Sequence, residues 1–502
     1  MTRKSVQFPC GLLALLTLAA NLGFSRTQAP SVPKTRWTIM HYGATDNNND
    51  EMIVPFYQKM KSGFIDNQGL ELIALADRNP GYSHDTTVFG EDFSDTRLYR
   101  ITHEKTERLG GGAEFPEITK TSNYEANTAD AMTLKKFIRF CKAHYPAEHY
   151  ALVVFAHGSG PHMCYDEGSE GDAMYTAEIT DVLTAADSVD IMVLDVCSMG
   201  GVENAYQWRP SNGKFGADVL VASAPPSGPF AYDKVFERLR SGGGDNGEVD
   251  SMVGGKEKYC DPATMTALDF GGVIIEEIYD GQPEESWACY DLTKVEAVKQ
   301  KVDAFAASLA KEGKKDDLAH VRGAGVVLPI LNYVSGGDFT DLAWIFSPYF
   351  DLYDLAKQTA GSPRFGGTIR RDAETLMKAV DELVAYSYGG GNYPGFENGR
   401  HGIYIFFPNG DRKAPYLNVR HWALQTWYNP SRVMKAPEVP LPKDLDLPKE
   451  ITLRLAATYG HYLWCADGAT PRNNKVENWF ELLDSWFDTG NGKEGGLNKY
   501  QW

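Results

Sequence analysis

Two short runs decide how this chain folds. Tyr150-Ala-Leu-Val-Val-Phe-Ala156 leads straight into His157-Gly158-Ser159-Gly160, and Ile191-Met-Val-Leu194 leads into Asp195-Val196-Cys197. Each is a brief unbroken apolar stretch that ends in polar or glycine-containing sequence, the pattern of a strand buried on both faces. Between them Ile179, Val182, Leu183 and Ala186 recur at helical spacing. Strand, helix, strand in that order predicts two parallel neighbours joined by a crossover.

The alternation continues outward. Upstream, Trp37–Tyr42 reads as a strand, Met52–Lys61 as a helix, Leu70–Ala76 and Thr96–Ile101 as strands, and Asp130–His144 as a helix with Leu134, Phe137, Ile138 and Cys141 on one stripe, stopped by Pro146. Downstream, Val219–Ser223 is a further strand. The expected fold is therefore α/β: a mostly parallel sheet flanked by helices on both faces, with a helical C-terminal extension. In such sheets ligands gather beyond the carboxyl ends of the strands. His157 and Cys197 each stand at such an end.

Four segments are expected along the chain. Residues 1–29 read as a signal peptide: Arg3 and Lys4 precede an apolar run from Gly11 to Phe24 that is short for a membrane span. Residues 30–240 form the core carrying His157 and Cys197. Residues 241–429 form a second, helix-rich part that opens on a glycine-rich stretch and ends with a late strand at 403–408. Residues 430–502 are a proline-spaced linker and tail, with one helix around Glu477–Phe487. No later stretch reads as a transmembrane anchor, so the chain is expected to be exported to the periplasm, the cell surface or the medium.

Composition narrows the partners. The 502 residues are 43% hydrophobic and 23% charged, an ordinary globular balance, with a formal net charge of -18 and a pI near 5.1. Nucleic acid and anionic membranes call for basic surfaces, so neither is an expected partner. Of seven cysteines, Cys10 would leave with the signal, and no CxxC pair marks a zinc ribbon or thiol redox site. Should Cys197 be a working thiol, five cysteines remain, and an odd number leaves at least one unpaired.

The chemistry rests on His157 and Cys197. A thiolate nucleophile needs a base or a positive neighbour, and a histidine supplies both, later protonating the leaving amine. Backbone N–H groups at Gly158 and Cys197 are candidates for an oxyanion hole, since Gly158 clears the approach of a carbonyl. Ser198–Gly201 is expected to open a helix whose positive end favours the thiolate. Taken singly, a cysteine or histidine after an apolar strand is usually a buried structural residue. The pairing at two strand ends is what raises both.

Longer matches add to this reading. Trp37–Tyr42 with Asp46-Asn47-Asn48, the run Tyr145–Leu152 into His157–Gly160, Leu194–Gly200 continuing through Val202–Tyr206, and Gly402–Pro408 together resemble the clostripain family of cysteine peptidases, in the family's order. The resemblance implies a caspase–gingipain-like sheet and hydrolysis of protein or peptide substrates, with Cys197 as nucleophile and His157 as general acid/base. It also implies a preference for Arg or Lys at P1, read by Asp195, which shares a strand face with Cys197. One departure is visible: after Ser223, where family members often carry a carboxylate or amide, this chain has Ala224-Pro225-Pro226.

Other readings are weaker. His157 and His162 lack a third metal ligand at a telling spacing, so no metal site and no cofactor is expected. The acidic loop Asp166, Glu167, Glu170 and Asp172 leaves calcium possible, without the glycine-punctuated pattern of an EF-hand. Ser387 in Ala385-Tyr-Ser-Tyr-Gly389 resembles a degenerate esterase elbow. A binding protein that kept the fold without catalysis is the alternative of another class.

Overall fold

The computed structural model describes residues 35–64, 69–84, 86–158, 160–241, 259–281, 284–313, 317, 330–333, 349–407, 462–468 and 475–487. The expected signal peptide, most of the glycine-rich stretch and the proline-spaced linker lie outside them.

In chain order the first half runs β1 (Thr35–Thr45), α1 (Asp50–Gly63), β2 (Leu70–Arg78), β3 (Thr96–Ile101), β4 (Thr106–Leu109), α2 (Ala131–His144), β5 (Ala147–Phe155), β6 (His162–Asp166), β7 (Asp172–Tyr175), α3 (Thr176–Val182) and β8 (Val189–Asp195). It continues through α4 (Val202–Gln207), β9 (Ala217–Ala222), α5 (Tyr232–Arg238), α6 (Ala267–Gly281), β10 (Ser286–Asp291), α7 (Val295–Glu312) and β11 (Tyr349–Asp351). Two helices, Leu352–Gly361 and Gly367–Leu383, then lead into β12 (Val384–Gly389) and β13 (Tyr404–Phe406).

Nine strands form one sheet in the order β12-β10-β9-β8-β5-β1-β2-β3-β4. The five central strands, β9-β8-β5-β1-β2, are parallel, and the flanking pairs on either side are antiparallel. The sheet is mostly parallel at its centre and covered by helices on both faces. Alternate residues feed two cores, because side chains of a strand alternate between faces. Met40, Tyr42, Leu152, Val154, Met192 and Leu194 pack with α2, α3, α4 and α7. Ile39, Val153, Phe155, Ile191 and Val193 pack on the other side with α1, α5 and α6.

Three expectations shift. The stripe Ile179–Ala186 is not one helix. α3 stops at Val182, and a separate 3-10 turn at Ala185–Asp187 starts after Thr184, whose N–H and hydroxyl both donate to Asp187 Oδ2 at 2.9 Å. Strands β10 and β12 were not expected. They join the sheet from beyond position 240, so that position does not bound the sheet. The late strand shortens to Tyr404–Phe406 and pairs with β11 in a separate two-stranded ribbon instead of the large sheet.

That ribbon still bears on the site. Tyr404 donates its hydroxyl to Ser198 O at 2.8 Å and its N–H to Gly200 O at 3.0 Å, bracing the turn after Cys197. The tail helix, Trp479–Phe487, is tied to the same ribbon by Trp479 Nε1 donating to Phe406 O at 2.9 Å.

Candidate active site

The register of β5 and β8 sets the site. Phe155 lies opposite Asp195, so the two strands end level and His157 and Cys197 leave neighbouring strand ends at the same height. Adjacent strands lie about 4.8 Å apart. Alternation places Asp195 on the parity of Ile191 and Val193, the face covered by α1, α5 and α6, and His157 and Cys197 follow two residues past the strand ends. His157, Gly158 and Cys197 are partly exposed, whereas Asp195 is only 4% exposed.

Each of the two candidate residues has a partner of its own. His157 Nε2 lies 2.7 Å from Asn48 Oδ1. With an oxygen as partner, Nε2 carries the proton and Nδ1 is left as a base. Asn48 is exposed, but its loop is anchored. Asn47 Nδ2 donates to Tyr165 O at 2.6 Å, and Glu167 N–H donates to Asp46 O at 2.9 Å. The thiol of Cys197 donates to Ser227 O at 3.4 Å. Burial lowers the His157 pKa, partly countered by Glu167, and burial raises that of Cys197, with Asp195 and Glu285 adding to the rise. The resting pair is thus a neutral imidazole and a neutral thiol.

The expected helix does not reach the thiol. α4 begins at Val202, and the intervening turn spends its donors elsewhere: Ser198 N–H on Pro225 O (2.9 Å), Gly200 N–H on Ser223 O (2.8 Å) and Gly201 N–H on Met199 O (2.9 Å). A helix terminus acts only within its first turn. In its place stands a strained reversal. Ser198 has φ +56°, a left-handed conformation uncommon for a residue with a side chain, of the kind that gathers at functional sites.

Gly158 is required by space. A Cβ there would overlap the Val196 side chain and come within 3.2 Å of His162 O and 3.3 Å of Cys197 O. Buried Asn204 joins the two loops, donating to Gly160 O (2.9 Å) and Met199 O (3.1 Å). Among the described residues neither Gly158 N–H nor Cys197 N–H donates to a backbone carbonyl.

Asp195 is almost closed off from solvent. Its Oδ2 accepts from the Tyr232 hydroxyl at 2.6 Å, and Tyr232 packs on buried His41, which burial keeps neutral with a pKa near 3. Burial pushes the Asp195 carboxyl up to about 8, against the pull of Tyr232 and with a further push from Glu285. Without a cation nearby it holds its proton at neutral pH.

Remaining candidates separate from this site. Ser387 sits inside strand β12, 1% exposed, its Oγ accepting from Gly399 N–H at 2.8 Å. An esterase elbow needs a sharp strand-to-helix turn that exposes the hydroxyl, so the Ser387 reading is withdrawn. Among the described residues no three His, Cys, Asp or Glu side chains are grouped to hold a metal ion. The Asp166 carboxylate is engaged by Thr128 N–H and Ser169 N–H, both at 2.8 Å. Cys141, Cys164, Cys197, Cys260, Cys289 and Cys465 are all free thiols. Asn48 and Asn204 lie within the motif-bearing runs 46–48 and 202–206, where nothing in the local sequence distinguishes them; their contacts depend on partners far along the chain.

Comparison with known proteins agrees with these motifs. The clostripain family model matches residues 41–452. Clostripain of Hathewaya histolytica is 42% identical over 491 residues, covering 93% of this chain and 89% of its own. Two solved structures are similar. One is an inactive zymogen C11 protease from Parabacteroides distasonis (16% identity, TM-score 0.49, 78% of this chain and 96% of that one). The other is a secreted C11 cysteine protease from Bacteroides thetaiotaomicron in complex with an irreversible peptide inhibitor (15% identity, TM-score 0.47, 78% and 98%).

Proposed function

The chain belongs to the clostripain family and is a cysteine peptidase, and on that premise we propose that it is an exported endopeptidase working through a Cys197–His157 dyad with a preference for basic P1 residues. The observation that supports the dyad is the level ending of β5 and β8, each followed two residues later by a partly exposed imidazole or thiol.

In this mechanism His157 Nδ1 takes the thiol proton as Sγ bonds to the scissile carbonyl carbon. The carbonyl electrons move onto oxygen, held by Gly158 N–H and Cys197 N–H. The C–N bond then breaks, and the amine leaves with the proton from His157. Water, deprotonated by the same imidazole, attacks the thioester and releases the acid and the thiol. The neutral resting pair suits this sequence, because the proton transfer is completed only when substrate brings the groups together. The chemistry asks for no metal.

Asp195 supports the basic preference. A buried carboxyl that holds a proton when alone becomes a carboxylate when a guanidinium or ammonium approaches, since an opposite charge lowers its pKa. Export is supported by the charged start and apolar run of residues 3–24. No helix among the described residues is long and apolar enough to cross a membrane.

The test is direct. Cys197→Ala should remove peptidase activity and labelling by a peptidyl acyloxymethyl ketone while leaving the melting temperature near wild type, and His157→Ala should lose a comparable factor because the two act as a unit. Substantial turnover by purified Cys197→Ala would sink the assignment.

A further inference from the structure

A second acidic side chain, Glu285, stands near Asp195 and Cys197 at the carboxyl ends of the parallel strands. The parallel strands β5, β8 and β9 finish at the reactive edge of the sheet. β10 runs antiparallel to β9, so β10 begins at that same edge. The residue just before it is Glu285. Its backbone is held there by Gly390 N–H donating to Glu285 O at 2.8 Å. Its side chain reaches back across the end of β9, where Oε1 accepts from Gly228 N–H at 3.1 Å. The neighbouring residue, Ser227, offers the carbonyl that receives the Cys197 thiol.

Two polar atoms at this place are left over. Glu285 Oε2 and Ser227 Oγ are both buried and have no hydrogen-bond partner among the described residues. A buried acceptor without a donor is costly, more so when charged, and such an atom persists where something else completes it. No Lys or Arg side chain is paired with Glu285 among the described ion pairs. Through adjacent Ser227 and Gly228, Glu285 and the Cys197 thiol share one loop, and the negative charge of Glu285 acts on both Asp195 and Cys197. The Ala224-Pro225-Pro226 run before that loop offers no carboxylate of its own.

We propose that Glu285 is a specificity residue whose Oε2, with Ser227 Oγ beside it, receives the cationic end of a P1 arginine or lysine. Arginine suits it best, because a planar guanidinium presents several N–H groups in a fixed fork and can serve both acceptors and Asp195 together. Asp195, closed off by Tyr232, then acts as the buried floor, and Glu285 is the group the incoming cation meets first. The inference rests on the peptidase reading of Cys197 and on its basic preference.

The experiment compares two peptide substrates that differ only in P1 arginine or its uncharged isostere citrulline. For Glu285→Gln the Arg-to-citrulline ratio of kcat/KM should fall by about ten- to a hundredfold, the usual weight of a hydrogen bond to a charged group. An acyloxymethyl ketone with a neutral P1 residue should still label Cys197, showing an intact site. An unchanged ratio in a labelled variant overturns the role of Glu285 while leaving the peptidase reading in place. A wild-type enzyme that does not prefer arginine over citrulline overturns the basic preference and Glu285 with it. If Glu285→Gln yields no labelled protein, the ratio is read on Glu285→Asp, whose shorter reach should reduce it; a wild-type ratio there counts against the proposal.

Discussion

Asn48→Ala is the sharpest probe of how the histidine is held. The contact between His157 Nε2 and Asn48 Oδ1, 2.7 Å long, selects the tautomer with Nδ1 unprotonated and fixes the ring plane. In the resting enzyme the imidazole is neutral, and such a bond contributes about 1 kcal/mol. Once the imidazole has taken the thiol proton the donor is charged, and the same bond is worth up to about 3 kcal/mol. Only the difference accelerates the reaction. The loss should therefore be about 1 to 2 kcal/mol, or roughly five- to thirtyfold in kcat at 1.4 kcal/mol per decade. KM should change little, since Asn48 is assigned no contact with substrate. Asn48→Asp extends the test. A carboxylate beside His157 favours the imidazolium and raises its pKa. Because the base must be unprotonated, the acid limb of the kcat/KM–pH profile should then move to higher pH. The assay is steady-state hydrolysis of a P1-arginine peptide, with active sites counted by covalent labelling. A kcat for Asn48→Ala within a factor of two of wild type, or an acid limb unmoved in Asn48→Asp, would show that the contact plays no part in catalysis.

Three further outcomes are expected. Gly158→Ala should cost about 1–3 kcal/mol of stability, the range for overpacking, and at least tenfold in kcat/KM, because the new methyl overlaps Val196 and presses on Cys197 O; a wild-type melting temperature and rate would refute the steric reading. Alkylation of Cys197 in the free enzyme by iodoacetamide should keep rising through the ordinary thiol pKa of about 8.5, since burial above all, with the charge of Glu285, raises the thiol while His157 is uncharged; a rate already flat below neutral pH would mean a resting thiolate–imidazolium pair instead. The enzyme should be active as one uncut chain, because no Lys or Arg lies between His157 and Cys197 and Arg238, one of two basic residues before the glycine-rich stretch, is buried in ion pairs with Glu276 and Glu277. N-terminal sequencing that found a second start between residues 158 and 196 would refute this and the basic preference together.

The sequence by itself determined the centre of this molecule. Unbroken apolar runs at 150–156 and 191–194 fit strands covered on both sides, and a helical crossover between them favours a parallel pair. Their carboxyl ends then present His157 and Cys197 together. That inference needs nothing beyond local pattern, which is why it and the family motifs agree. What local pattern could not reach was everything set by pairing across the chain. Ser286-Trp-Ala-Cys-Tyr-Asp291 has no β-branched residue, and Val384–Gly389 follows a helix without a break; the first became a strand by pairing with the edge of β9, the second by pairing with β10. The helix expected at the thiol was displaced by a left-handed turn at Ser198 that β13 braces from more than two hundred residues away. The partners of the reactive groups have the same origin. Asn48 meets His157, Tyr232 meets Asp195, and Glu285 meets Gly228 through contacts between distant segments. Side-chain chemistry can be read from a list of residues. Whether a carboxyl is buried, which proton an imidazole carries and which acceptor is left open depend on neighbours, and those are chosen by the packed fold.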